Sequence, residues 1–148
     1  MAGYLKIAVG AAISLAAIGC EKPALSPVGE RIDGPYVLTS EILSASPGKV
    51  ICYQILNDGC DLRVPPPVVR LGWDENFISA AVRKIGEPDA VDYYYIVRDF
   101  DGPGADVARV VRGPYDEAAF IDERRKHGVP GVAPIGSAPI GAEPTPAN

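Results

Sequence analysis

Between Pro35 and Gly128 short apolar runs alternate with turn-forming residues, and the runs have the period of strands. "PYVLTS", "KVICYQI", "PVVRLGW", "NFISAAVRK", "VDYYYIVRD" and "DVARVVRG" are rich in β-branched and aromatic residues and are bounded by Gly, Pro, Asp or Asn. Alternate side chains of an extended chain leave by opposite faces. Val69, Leu71 and Trp73 therefore share one face of their strand, and Val91, Tyr93, Tyr95 and Val97 share one face of another. Arg70, Asp92 and Arg98 fall on the opposite faces. The pattern predicts a sheet with one apolar side, with Asp74-Glu75-Asn76 as a tight reversal between two of its strands.

One segment has the marks of a helix instead. In "GPYDEAAFIDERRKHGVP", Asp116 is placed to cap the first free amides, Glu117 suits the positive end of the dipole, and Tyr115 can staple against Phe120. Arg124, Arg125, Lys126 and His127, the only histidine, sit at the negative end. Gly128 suits a left-handed cap, and Pro130 forbids continuation. Phe120 and Ile121 are expected to face the sheet, and Asp122 and Lys126 are spaced for an exposed pair. The expected fold is mainly β (α+β): a small antiparallel sheet of about six strands with one C-terminal helix packed on it.

The amino terminus has a different build. Lys6 is its only charge, an apolar run extends from Ile7 to Ile18, and small residues lead to Cys20. This is the layout of a secretory signal peptide, too short to span a bilayer stably; an uncleaved anchor helix or a buried helix is the alternative. Ala17-Ile18-Gly19-Cys20 resembles the lipobox of bacterial lipoproteins. The resemblance implies that residues 1–19 are removed and that Cys20 is acylated, by chains of the palmitate kind, and becomes the first residue. The membrane is then a partner through lipid. Glu21 after the cysteine, where Asp would favour the inner membrane, implies the periplasmic face of the outer membrane.

Residues 20–34, "CEKPALSPVGERIDG", lack periodicity and read as a tether; residues 35–128 form the domain. Residues 129–148 carry Ala-Pro-Ile-Gly at 133–136 and again at 138–141, and read as a flexible Pro/Gly/Ala tail. Without residues 1–19 the chain holds 13 basic against 19 acidic residues, a balance that argues against nucleic acid.

Giving Cys20 to lipid leaves Cys52 and Cys60 as a pair, the even remainder expected in an oxidising compartment. A bridge over that short loop is worth roughly 2.5 kcal/mol in the chain-entropy model. A two-residue turn at Asp58-Gly59 would set Cys52 opposite Pro65, so that turn and a directly cross-strand bridge exclude each other. The bridge is expected, with "YQILNDG" as an irregular loop. Zinc is the competing reading, with two cysteines and one histidine a poor ligand supply.

No Gly-x-Ser-x-Gly nucleophile motif and no Gly-rich phosphate loop occur, so neither a catalytic set nor a cofactor is expected. Asp74 and Glu75 are adjacent turn residues that point apart. In "RDFDGPGADVAR", Asp99, Asp101 and Asp106 are candidate oxygen ligands for calcium, against the alternative of a polar hairpin tip. Arg70, Arg83, Arg98, Arg109 and Arg112 spread over successive strands. Should they converge, they would meet an anionic partner such as a lipid head group, a glycan acid or an acidic protein; Arg70 and Arg98 are the binding candidates.

Trp73-Asp74 with Phe77 and Ile78, then Tyr94-Tyr95-Ile96, then Gly113-Pro114 with Phe120, is similar to a pattern in small exported bacterial domains of unknown function. The similarity covers residues 36–128 and implies an architecture without an assigned activity; the cysteine pair is not part of that pattern. The function expected is that of an envelope lipoprotein, not an enzyme, binding a protein or envelope component. The alternatives are a structural spacer or assembly accessory, and an immunity- or inhibitor-like protein against an envelope enzyme.

Overall fold

The computed structural model describes residues 29–41, 47–55 and 59–137. The signal segment, Cys20, most of the tether and the second Ala-Pro-Ile-Gly copy lie outside the described residues. The strands are β1 (Glu30–Asp33), β2 (Tyr36–Glu41), β3 (Gly48–Ile55), β4 (Gly59–Val64), β5 (Val68–Trp73), β6 (Phe77–Lys84), β7 (Glu87–Val97), β8 (Val111–Tyr115) and β9 (Ala133–Pro134). A 3-10 turn at Arg98–Phe100 and the one-turn helix α1 (Val107–Val110) link β7 to β8, and helix α2 (Glu117–His127) follows β8. No helix among the described residues is long and apolar enough to cross a membrane.

The chain is mainly β, as its pattern predicts, but its strands divide between two antiparallel sheets, ordered β1-β2-β3-β4 and β8-β7-β6-β5-β9. Ile32, Leu38, Ile51 and Val64 of the first sheet pack in one core with Leu71, Ile78, Ala80 and Ile96 of the second, so the sheets stack face to face. On the outer side of the second sheet, Ala81, Tyr93 and Tyr95 form another core with Phe120 of α2 and Val129. The second sheet is therefore apolar on both sides, which corrects the expectation of one apolar face. A middle layer between a sheet and a helix must bury both of its surfaces.

The helix follows its sequence signals. The Asp116 carboxylate accepts from Ala119 N, and Gly128 closes the helix in the left-handed conformation at φ 74°. Phe120 stacks on Tyr93 with ring centroids 4.7 Å apart, whereas Ile121 is 44% exposed, contrary to expectation. The expected Asp122–Lys126 pair is also replaced. Asp122 meets Arg125 at 3.0 Å, while Lys126 and His127 both face Glu123. Tyr115 stacks on Tyr95, whose hydroxyl donates to Glu123 and ties the helix to the sheet. The Asp74 reversal forms as read, with Oδ1 accepting from Asn76 N and Phe77 N.

Other local readings change. A bulge between Val68 and Arg70 in the β5–β6 pairing moves Val69 away from Leu71 and Trp73 to the helix side. "DVARVVRG" starts as helix α1, because the Asp106 carboxylate caps Ala108 N, and becomes strand only at Val111. Sheet pairing begins at Glu30, inside the segment read as tether. It ends at β9 in the segment read as tail, where Ile135 packs on the inter-sheet core. Gly72 permits this last contact: a Cβ there would lie 1.8 Å from the carbonyl oxygen of Gly131.

Cys52 and Cys60 stand as a disulfide pair with Cα atoms 5.3 Å apart. Cys52 is opposite Leu62 and Cys60 opposite Gln54, so the bridge runs diagonally across β3–β4. "YQILNDG" is correspondingly shorter as a loop than expected, since pairing continues through Ile55 and resumes at Gly59. Replacing both cysteines with serine is expected to cost roughly 2.5 kcal/mol, read as a lower denaturant midpoint with an unchanged midpoint for the wild type only in the absence of reductant.

Candidate functional site

The candidate cation site dissolves into structural roles. Asp101 carries its carboxylate into the interior, where its side chain is 0% exposed and pairs with Arg63 of β4 at 2.8 Å. Arg63 Nε donates to both Asp101 oxygens at 2.9 Å, its Nη2 donates to Gly102 O at 2.9 Å, and the Tyr36 hydroxyl donates to Asp101 Oδ2 at 3.0 Å. Gly102 N completes the set by donating to Oδ1. No buried side-chain N or O among the described residues lacks a partner, so this ion pair meets the condition under which a buried charge is tolerated. Asp106 is committed to its cap, and Asp99 is exposed. Among the described residues no group of three or more His, Cys, Asp or Glu is placed to hold a metal ion.

The network clamps the β7–β8 connection under the first sheet. Arg98 adds a second clamp: it forms an ion pair with Asp33, lies 5.6 Å from the Tyr36 ring centroid and donates to Asp74 O. Burial, and then the Asp101 charge, push the Tyr36 phenol above the usual tyrosine range; burial and the bond to Glu123 do the same for Tyr95. Both phenols keep their protons where an unfolded chain would lose them. Their contribution is whole below about pH 10 and declines as pH rises above it, because only the unfolded state then ionises freely. Stability is expected to fall steeply above pH 10, with part of the tyrosinate absorbance appearing only on unfolding; Tyr36→Phe should make the slope shallower. A tyrosinate signal that saturates while the protein is folded would contradict this.

The five arginines do not converge. Arg98 is engaged as described, Arg83 is exposed on β6, and Arg112 Nη1 donates to the Ala108 and Arg109 carbonyls. Arg70 alone enters a groove. The bulge beside it places Arg70 opposite Ala81, on the surface that faces α2. Two adjoining clefts of about 320 and 220 Å³ lie there, both lined by Arg70, Tyr93 and Glu117. Lys84 and Asp89 rim the first; Phe120, Ile121 and Arg124 line the second.

The charges in this groove are unequally committed. Lys84 pairs with Asp92 at 3.1 Å, which raises the Lys84 pKa, and Arg124 Nε donates to Val129 O. Arg70 and Glu117 have neither a hydrogen bond nor an ion pair among the described residues. A guanidinium on the sheet and a carboxylate on the helix thus flank an aromatic floor, an arrangement suited to recognising a ligand with both charges. Charge composition picked out Arg70 in the sequence. Glu117 read only as a dipole partner, and nothing local marked Lys84 or Arg124 as groove residues. Compared with protein-family models, with curated proteins and with solved structures, the chain matches none.

Proposed function

We propose that this chain is a lipid-anchored protein of the bacterial envelope, attached at Cys20 on the periplasmic face of the outer membrane, and that its β domain is a binding module. The lipobox-like Ala17-Ile18-Gly19-Cys20 supports the anchor, and the Cys52–Cys60 pair agrees with an oxidising compartment. The observation that carries the binding reading is the groove between α2 and the sheet, where Arg70 and Glu117 face each other's side without partners. Its occupant is a protein segment or another envelope component bearing both charges. Burying an Arg against a carboxylate there fixes orientation, and Tyr93 with Phe120 supplies apolar contact.

Photoreactive residues at positions 121 and 85 in the cell-borne protein test this. Position 121 lines the groove; position 85 is at the β6–β7 tip, where Ile85 is 80% exposed. One recurrent adduct from position 121, absent from position 85 and reduced more than about tenfold by Arg70→Glu, is the expected result. No adduct at 121, or the same adducts from both positions, would favour a spacer.

A further inference from the structure

A second surface carries chemistry that neither the core nor the groove uses. Phe100 is 68% exposed at the end of the 3-10 turn, and Val107 is 42% exposed at the start of α1. Beside them a cleft of about 280 Å³ is lined by Phe100, Ala108, Arg109 and Arg112. The Arg109 side chain makes no hydrogen bond or ion pair among the described residues, and Arg112 uses only Nη1 on the α1 carbonyls. Of the nearby acids, Asp101 is buried on Arg63 and Asp106 is taken up by its cap, leaving Asp99 exposed against the two arginines.

We infer that this patch is the face that rests on the bilayer holding the anchor, with Phe100 and Val107 entering the interfacial layer and Arg109 and Arg112 meeting lipid phosphates. An exposed aromatic and an aliphatic side chain beside arginines match the apolar-plus-cationic composition of interfacial contacts. The cleft between Phe100 and the two arginines is of a size for a head group. Position agrees with chemistry. Cys20 precedes Gly29 by nine residues, which reach at most about 30 Å whatever their conformation. β1 then covers about 13 Å to Asp33, which is bonded to Arg98, two residues before Phe100. The inference rests on the lipid-anchor reading.

The test uses the acylated full chain in vesicles of phosphatidylethanolamine and phosphatidylglycerol, with the intact mass measured on the same sample. Phe100→Trp is compared with Ile85→Trp, at the far end of β7, roughly 35 Å away. Trp73, present in both, gives the common background. Lipids brominated near the head group are expected to quench the tryptophan at position 100 and spare the one at 85, and Arg109→Glu should lower the quenching about fivefold. Equal quenching, stronger quenching at 85, or none at either overturns the inference while leaving the anchor standing. A mass without acyl chains removes the anchor, and the inference with it.

Discussion

Asp101→Ala is expected to destabilise the fold by about 3–5 kcal/mol, because it leaves the Arg63 guanidinium buried without its counter-charge. The Arg63 side chain is 1% exposed, and its remaining acid, Asp61, is 3.8 Å away and lies near the surface. The same change removes the acceptor for the Tyr36 hydroxyl and for Gly102 N. Converting the pair together, Arg63→Met with Asp101→Leu, should recover most of the loss, since the cost of a buried ion pair lies in breaking it rather than in replacing both halves. Denaturant unfolding of the two variants distinguishes this from a simple packing defect; an equally unstable double variant would contradict it.

Phe120→Ala should cost a similar amount, about 3–5 kcal/mol, for a different reason. Phe120 is the buried residue of α2, 3% exposed, and its ring lies within 10° of parallel to that of Tyr93. Its removal opens a cavity in the outer core and takes away the stacking that seats the helix, which also dismantles one wall of the groove. Ile121→Ala, one position on but 44% exposed, should change stability by no more than about 0.5 kcal/mol. Equal losses for the two would mean that the helix is not fastened through Phe120.

What the sequence makes legible here is what is decided locally. Asp116 and Gly128 mark the helix ends because caps act within one turn, and Asp74 announces its reversal because one carboxylate takes two nearby amides. β5, β6 and β7 are readable from alternation, yet the bulge at Val69 is not: a single extra residue leaves composition unchanged while swapping a face. β4, "GCDLRV", has no apolar run and becomes a strand through pairing with β3. β1 and β9 are short and pairing-dependent in the same way. In "VARVV", Val107 and Val110 satisfy a helical spacing while Val107, Arg109 and Val111 satisfy a strand, so only the Asp106 cap decides. The Arg63–Asp101 pair joins residues 38 apart, and no neighbour of either foretells the other. The groove depends on the bulge and on the seating of α2, so its charges appear in the sequence only as scattered surface residues.

The most direct test of the anchored-module account is the intact mass of the membrane-extracted protein, taken without reductant and after thiol alkylation. The account predicts a chain that begins at Cys20, is heavier by acyl groups and carries no alkylated thiol. A chain that begins at Met1, unacylated and with Cys52 and Cys60 alkylated, would contradict it.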